Sequence, residues 1–421
     1  MEKIKINGFG GLKNAEAPIN NINLFIGKSA SGKSISIKLI YFFKSFFRDF
    51  FESAEDENSK TELNKKILNK FEEFFPAESW CDSPFDITFY YNSTEYSKIT
   101  KQGSKNKLSI EYSKIVIKQF RNAKRLIKVD KDKFRAKDKF EVYRPDYKVY
   151  EHYINIVKSE LGEACAYSQI FIPAGRSFFA TLQSSIFSFL SNNKAIDPFL
   201  VEFGSFYENI KGIASRDLVL GGKNKSDLKI IDELILEIIG GKYQRIKSKD
   251  YIIHEDKRKI NLAYASSGQQ ETLPLALILK ALTQISFSGG GLTLYIEEPE
   301  AHLFPSAQKR VVELIVSVFK LSKCKSQIII TTHSPYIISA FNNLLQAGLI
   351  EENYKEDRLY EIVAKLFIIP KNNLNAFSVE KQLFNTIIDE DFGLINSEYL
   401  DNISSTISNE FNLLINLENE L

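Results

Sequence analysis

This sequence has few cysteines, little net charge and no long apolar run. No apolar stretch reaches the roughly 18 residues that a membrane span needs, and the N-terminal MEKIKINGF lacks the apolar core of a signal peptide. The three cysteines, Cys81, Cys165 and Cys324, are far apart and lack the spacing of a metal or redox site. We therefore expect a protein of the reduced, cytoplasmic compartment with no membrane partner.

Charge is balanced over the whole chain but uneven along it. The net charge is +2, so no global field indicates nucleic acid. Residues 114–139 contain eleven Lys and Arg against three Asp, whereas residues 382–421 contain eight acids and no Lys or Arg. These segments are either two solvated faces, or the basic one binds a phosphate backbone, such as DNA, or an acidic partner.

The first half of the sequence predicts strands, an aromatic helix and a β-meander. INLFI at 22–26 is an apolar strand, and residues 35–52 predict one helix with a phenylalanine stripe suited to core or subunit packing. Residues 85–100 and 107–120 alternate apolar and polar side chains, which predicts an antiparallel meander. The chain length allows two or three such lobes.

The second half predicts a helical lobe followed by a parallel sheet. Residues 147–161 and 176–240 are mostly helical in pattern. The apolar strands in GLTLYIEEPE and SQIIITTHSP lie between helical segments, which indicates a parallel sheet covered on both faces. Residues 377–390 and 396–420 predict closing helices; the apolar stripe of the second either packs on its own chain or docks a partner.

The segment GKSASGKS, residues 27–34, matches the P-loop pattern G-x-x-x-x-G-K-[ST]. It follows an apolar strand and opens a helix, which is the context the motif requires. Loop N–H groups, including those of Ser29 and Ser31, would face phosphate oxygens, and Gly27 and Gly32 would allow the close approach. Lys33 would reach the β- and γ-phosphates of ATP, and Ser34 would bind Mg²⁺.

Two acids end the strand of GLTLYIEEPE, and a histidine ends that of SQIIITTHSP. Adjacent side chains leave a strand in different directions, so Glu297 and Glu298 can have different roles. We expect Glu297 to bind magnesium through water and Glu298 to polarise the attacking water. His333 would donate a hydrogen bond to the γ-phosphate.

A second anion site is predicted at Ser266-Ser267-Gly268-Gln269-Gln270, which we name the serine-glycine turn. Ser266 and Gln269 form a capping-box pattern, so a helix with free N–H groups begins here. Pro274 should loosen or kink that helix. Because the P-loop already holds the chain's own ATP, the turn either serves the ATP of another subunit or is an ordinary capped helix start.

These motifs, with YIEEPEAHLFP, TTHSP and FIPAGRS, stand in the order of ABC-type ATPase heads and resemble the RecF/SMC/OLD-like branch of AAA-family ATPases. The resemblance implies an α/β P-loop NTPase head with an antiparallel β subdomain and an inserted helical lobe. It implies that Ser266, Ser267, Gly268 and Gln269 act in trans in a homodimer or higher oligomer. It further places Gln169 on magnesium, and leaves Arg176 either a shared feature or a surface salt bridge. Phe304 departs from the family's second histidine.

On this basis the chain divides into four segments. They are an N-terminal head part (1–145), a helical lobe (146–245), a C-terminal head part (246–345) and a helical extension (346–421).

Several functions remain open for such an ATPase. The resemblance favours a slow ATPase that acts as sensor or scaffold in bacterial anti-phage defence (Septu, PARIS or abortive-infection type), with a separately encoded nuclease or toxin as effector. A RecF/SMC-like DNA-repair clamp is the alternative, although no sustained heptad arm is present. A transporter motor fits the inserted lobe less well. A fused nuclease would need a further domain, and we interpret the acids Asp389, Glu390 and Asp391 as a solvated turn.

Overall fold

A computed structural model describes most of the chain. The described residues are 1–80, 83–103, 107–135, 143–182, 197–214, 225–247, 249–285, 290–322, 325–354, 356–396, 409–413 and 415. Cys81, Cys324 and most of the predicted closing helix at 396–420 lie outside them. Among the described helices, none combines the length and the apolar character that crossing a membrane requires.

The strands of the described residues form three sheets. In chain order they are β1 (Glu2–Asn7), β2 (Ala15–Ile19), β3 (Ile22–Ile26), β4 (Phe85–Tyr90), β5 (Tyr96–Lys101), β6 (Leu108–Tyr112), β7 (Ser168–Ile172), β8 (Lys242–Ile246), β9 (Lys249–Ile253), β10 (Lys259–Asn261), β11 (Gly291–Glu297), β12 (Lys325–Thr332), β13 (Leu374–Glu380) and β14 (Leu383–Thr386).

The α-helices separate these strands. They are α1 (Lys33–Lys44), α2 (Phe46–Glu55), α3 (Lys60–Phe74), α4 (Lys114–Arg135), α5 (Tyr147–Leu161), α6 (Phe178–Leu182), α7 (Pro198–Ala214), α8 (Lys225–Ile239), α9 (Ser267–Leu282), α10 (Pro305–Leu321), α11 (Pro335–Tyr354) and α12 (Leu359–Ile362).

The central sheet has the order β14-β13-β3-β12-β11-β7. Its strands from β13 to β7 run parallel, and β14 is antiparallel to β13. Alternate side chains of β3 enter separate cores: Leu24 packs in the core beneath α9 and α10, and Phe25 in the aromatic core of α1 and α2. The sheet is therefore covered on both faces, and the predicted α/β class is confirmed.

The other two sheets are antiparallel. The meander β4-β5-β6 extends β2-β1, which confirms the predicted β subdomain, and β8-β9-β10 precede the serine-glycine turn. The six phenylalanines of the stripe, Phe42, Phe43, Phe46, Phe47, Phe50 and Phe51, are all buried, so the stripe is core. Helices α5 to α8 and strand β7 lie within residues 146–245, and β7 pairs with β11 in the central sheet. The division of the chain into four segments stays a prediction.

Three local predictions are wrong. Residues 35–52 form two helices that meet at Ser45 instead of one. The second half of 107–120 begins α4, because the strand pattern ends at Tyr112. Pro274 lies inside α9, which continues to Leu282, and the predicted loosening or kink stays a prediction. The predicted helix at 377–390 is instead strands β13 and β14, so part of 346–421 belongs to the central sheet.

Residues 377–390 were misassigned because a short apolar run has no decisive period. Ala376 and Phe377 are buried where β13 pairs with β3, the strand before the P-loop. That pairing joins segments about 350 positions apart in sequence, and local pattern cannot reveal it.

Candidate functional site

The predicted motifs meet at one edge of the central sheet. Strands β3, β12 and β11 are neighbours and parallel, so their carboxyl ends lie side by side. The P-loop follows β3, and His333 follows β12. Glu297 is the last residue of β11, and Glu298 comes next. Ligands of open α/β sheets bind at this edge.

The P-loop backbone requires its two glycines. Gly32 has a φ of +104°, and a Cβ there would lie 3.0 Å from Leu12. At Gly27 a Cβ would lie 2.7 Å from the carbonyl oxygen of Val379 on β13. The loop borders an open cavity of about 300 Å³, lined by Gly10, Ser29, Ala30, Ser31, Gly32, Lys33, Ser34, Ile35 and Glu298. The cradle therefore depends on strand β13 as well as on the motif itself.

Lys33 is buried at the first position of α1. Its ammonium donates hydrogen bonds of 2.7 Å to the carbonyl oxygens of Gly27 and Lys28. Burial lowers its pKa, and the charges of Glu298 and Glu300 oppose that shift. These two carbonyl groups hold the ammonium beside the cavity. A bound phosphate would take their place as its hydrogen-bond partner.

Glu297 and Ser34 provide the oxygen atoms expected at a magnesium site. Glu297 is buried, and burial raises the pKa of its carboxyl against the effects of Lys38, the Ala174 N–H and the Ser34 hydroxyl. Its Oε2 accepts a hydrogen bond from the Ala174 N–H at 3.2 Å. Within the described part of the chain, its Oε1 has no hydrogen-bond partner. A buried carboxylate oxygen left unpaired beside a hydroxyl fits a hard cation such as Mg²⁺.

Glu298 borders the cavity and pairs with His333. The Nε2 of His333 lies 3.2 Å from the Glu298 Oε2, and both side chains are partly exposed. Glu298 has a φ of +43°, an uncommon value for a residue with a side chain. The imidazole is thus placed to orient the carboxylate, and its hydrogen bond to the γ-phosphate stays a prediction.

Glu300 is a site residue that the sequence reasoning missed. Its Oε1 accepts hydrogen bonds from the Thr332 hydroxyl at 2.7 Å and from the His333 N–H at 2.8 Å. The carboxylate therefore joins the turn after β11 to the end of β12 and sets the position of His333. The third acid of EEPE, two positions after Glu298, was the available signal.

Lys38 and Asp197 were missed as well. They form an ion pair of 2.6 Å, and both act on the pKa of Glu297. Lys38 stands one helical turn after Ser34, so the face of α1 that carries Ser34 could have suggested it.

The serine-glycine turn is capped and faces outward. The Ser266 hydroxyl accepts from the Gln269 N–H at 3.3 Å, and the Gln269 side chain accepts from the Ser266 N–H at 3.2 Å. Ser266 and Ser267 are exposed, while a Cβ at Gly268 would lie 2.8 Å from the His302 carbonyl. The turn is absent from the described lining of the P-loop cavity. The predicted capping box is confirmed, and the turn does not complete its own chain's site.

Gln169 is not at the magnesium site, contrary to our expectation. It pairs with Thr293 on β11, about four residues or ~13 Å along the strand from Glu297. Its side chain contacts the Tyr295 hydroxyl instead. The register of β7 against β11, which sequence alone could not supply, excludes it.

Two other open questions are resolved by the structure. Arg176 is fully buried, so the surface salt bridge is excluded. Asp389 accepts hydrogen bonds from the N–H groups of Asp391 and Phe392, so this acidic cluster is a self-capped turn as predicted.

A family model described as "AAA ATPase domain" matches residues 1–338. No curated protein matches the sequence. The match spans the P-loop, the serine-glycine turn, the two acids and His333.

Three solved structures are among those similar to this chain. The SMC head domain from Thermotoga maritima is 13% identical with a TM-score of 0.34, covering 80% of this chain and 90% of that one. An Smc head bound to the C-terminal winged-helix domain of ScpA is 12% identical with a TM-score of 0.40, covering 91% and 96%. The recombination mediator RecF is 11% identical with a TM-score of 0.32, covering 91% and 97%.

Proposed function

The chain belongs to the AAA ATPase domain family, and from this premise we propose that it hydrolyses ATP between two copies of itself. In this dimer the P-loop of one chain and the serine-glycine turn of the other enclose each triphosphate. The proposal rests on the observation that the P-loop and the serine-glycine turn of one chain do not border the same cavity. The P-loop, with Lys33 and Ser34, and Glu298 border one cavity, whereas the capped, exposed turn is absent from that cavity's described lining.

The residues at the cavity have separable roles in the proposal. Lys33 and the loop N–H groups bind the phosphates, and Ser34 and Glu297 would hold Mg²⁺, which supplies charge neutralisation on the phosphate oxygens. Glu298 orients and polarises the attacking water, and His333 holds the Glu298 carboxylate at 3.2 Å.

Exposed aromatic side chains beside the turn support the dimer. Tyr264 is 86% exposed and Phe304 is 77% exposed. Both lie near the turn in the fold, because Tyr264 lies two positions before Ser266 and Gly268 packs against His302, two positions before Phe304. Large aromatic residues exposed at such a place are typical anchors of protein interfaces. Phe304, where the family has histidine, would contribute apolar contact area between the two copies.

The dimer is tested by light scattering after size-exclusion chromatography, with and without ATP and magnesium. Glu298→Gln should retain ATP and run at about twice the mass of one chain, while its turnover falls about 10²- to 10⁴-fold. Lys33→Ala should stay monomeric, and the exposed Glu361→Gln serves as the matched control. Wild-type turnover by Glu298→Gln would remove Glu298 from its role, and a monomer under all conditions would exclude the composite site.

For the biological role we propose a slow, nucleotide-gated sensor or scaffold of bacterial anti-phage defence, acting with a separate effector. The support is the order of the motifs, which resembles the ATPase subunits of those systems. In such a switch, ATP binding closes the dimer and hydrolysis reopens it. Co-expression with the neighbouring gene tests the role: we expect co-purification with Glu298→Gln and release with Lys33→Ala. Equal retention by both variants would contradict gating.

A DNA-repair clamp is the second candidate, favoured by one face of α4. Five basic residues stand at alternating four- and three-residue spacing, and all are exposed: Lys114, Lys118, Arg121, Arg125 and Lys128. They form a straight stripe of about 21 Å, long enough to follow several phosphates.

The clamp is tested by the anisotropy of labelled duplex DNA across a salt series. Arg121→Glu with Arg125→Glu should weaken binding and flatten the salt dependence, because counterion release scales with the phosphates neutralised. Lys60→Glu with Lys65→Glu, exposed on α3, is the control. A flat salt response in the wild type would dismiss the clamp and leave the ATPase intact.

A further inference from the structure

Arg176 joins three segments of the site from a fully buried position. Its Nε donates to the Glu271 carbonyl at 3.0 Å, and its Nη1 donates to the carbonyls of Pro173 and Glu297, both at 2.8 Å. Its Nη2 donates to the Glu298 carbonyl at 3.1 Å. One planar guanidinium therefore fixes the loop after β7, the start of α9 and the peptides of both catalytic acids.

The Glu271 carboxylate completes this contact from the other side. It is also buried and accepts hydrogen bonds from the N–H groups of Arg176 at 2.9 Å and Ser177 at 2.8 Å. Its Oε1 lies 3.3 Å from the Arg176 Nη2. A buried ion pair is stable only when its remaining donors and acceptors are satisfied, as they are here. The geometry of the pair is thus tightly determined.

Glu271 belongs to the helix that the serine-glycine turn begins. It lies five positions after the cap Ser266, within the first turns of α9. A displacement of the start of α9 would move Glu271, and through Arg176 the carbonyl oxygen of Glu298. Glu298 holds a left-handed backbone conformation that is strained for a residue with a side chain, so the orientation of its side chain depends on such external support.

We propose that the Arg176–Glu271 pair is a positioning link between the two ATP sites of the dimer. This inference rests on the proposed function. The turn of one chain contacts the partner's ATP, the contact seats α9, and Arg176 then sets Glu298 of the same chain for hydrolysis of that chain's own ATP. Each site thereby responds to occupancy of the other, which is a coupling between two distinct sites.

A merely structural pair would give a different result. If Arg176 and Glu271 only fasten α9 to the sheet, their alteration should lower stability and leave any cooperativity between the sites unchanged. If they form the link, their alteration should abolish cooperativity and lower kcat, with little change in the KM for ATP.

The test compares ATP dependence of hydrolysis by the full chain in the wild type, Glu271→Gln and Arg176→Lys. We expect a Hill coefficient above one in the wild type, a coefficient of one in both variants, and a kcat lowered about tenfold. Asp49→Asn is the matched control, since Asp49 is a buried carboxylate paired with Lys70 away from the site. It should keep the wild-type coefficient even where the melting temperature falls.

The possible results distinguish a failure of the proposed link from a failure of the proposed dimer. Cooperativity retained in folded Glu271→Gln or Arg176→Lys overturns the link, as does a wild-type coefficient of one with an intact ATP-dependent dimer. Loss of the dimer itself overturns the proposed function instead.

A second measurement leaves the buried pair unaltered. In the Glu298→Gln background, ATP should increase the hydrogen-exchange protection of residues 173–177, and adding Ser267→Glu should abolish that increase. Protection at 173–177 that is indifferent to ATP in an intact dimer would also overturn the link.

Discussion

The P-loop and the serine-glycine turn differ in how much of a phosphate site one chain supplies. Residues of the same chain hold the P-loop in place. Leu12 packs against Gly32, and the Lys33 ammonium donates hydrogen bonds to carbonyl groups of the loop. The turn has its capping box satisfied but presents Ser266 and Ser267 to solvent. We infer that the first loop binds nucleotide alone, whereas the second acts only when another chain approaches.

Substituting a P-loop glycine should have the largest effect. Gly32→Ala places a side chain at a φ of +104° and 3.0 Å from Leu12, which displaces the loop N–H groups. We expect ATP affinity to fall about 100-fold or more, corresponding to about 3 kcal/mol, as measured by calorimetry. Gly162→Ala is the control, because its φ of +111° is similar but its Cβ would meet open space. Equal loss in both variants would mean that strain alone, and not the cradle, is responsible.

Charging the turn should separate dimerisation from ATP binding. Ser267→Glu leaves the fold intact, because an acid is favourable in the first turn of a helix, but it repels the partner's triphosphate. In the Glu298→Gln background we expect the dimer to weaken about 30-fold or more, or about 2 kcal/mol, while ATP binding to the single chain is unchanged. Sedimentation measures the first and calorimetry the second. Thr61→Glu, exposed in the first turn of α3, is the control. A dimer unaffected by Ser267→Glu would place the interface elsewhere.

The substitution His333→Ala should have a smaller effect, which is limited to hydrolysis of the ATP at the P-loop of the same chain. Without the imidazole 3.2 Å away, Glu298 loses its orientation but keeps its charge. We expect kcat to fall about tenfold, or about 1.4 kcal/mol, with KM within about twofold. His152→Ala, on the exposed face of α5, is the steady-state control. A change in KM alone would indicate that His333 binds ATP instead.

We expect the smallest effect from Glu297→Gln, which should change the thermal stability of the protein. Burial raises the pKa of the Glu297 carboxyl in the folded protein above 4.5. Its contribution to the free energy of unfolding is therefore fully present below about pH 4.5, and it is lost as pH rises through the folded-state pKa. In the nucleotide-free protein, Glu297→Gln should therefore raise the melting temperature at pH 7 by on the order of a few degrees. The gain should shrink as pH approaches 5. The exposed Glu361→Gln is the control for the loss of a carboxylate as such, and a lower melting temperature for Glu297→Gln would contradict the argument.

Much of the candidate site was predictable because its motifs are local. Glycine, lysine and serine at fixed spacing define the P-loop, and Ser266 with Gln269 defines a cap within a single turn. Glu298 and His333 each end an apolar strand, and such strands commonly end at a ligand edge. The structure adds that Glu298 and His333 are in contact, which neither motif indicates by itself.

Three of the misses share one cause, which is that sequence does not reveal the pairing of distant segments. Gln169 is of a suitable residue type, but its pairing with Thr293 places it well back along the sheet. Arg176 and Glu271 lie almost one hundred positions apart, and no local pattern indicates that they form a buried pair. Strand β13 has an ordinary apolar pattern whose partner lies near the other end of the chain.

By itself the sequence determined the P-loop, the two strand-end acids, the capped turn and the α/β class, because backbone geometry and side-chain spacing act over a few residues. Only the tertiary structure decided which strands adjoin, which carboxylate faces the cavity and which helix Arg176 fastens to the sheet. Strand pairing and burial depend on contacts between remote segments, and their energies cannot be read from either segment alone.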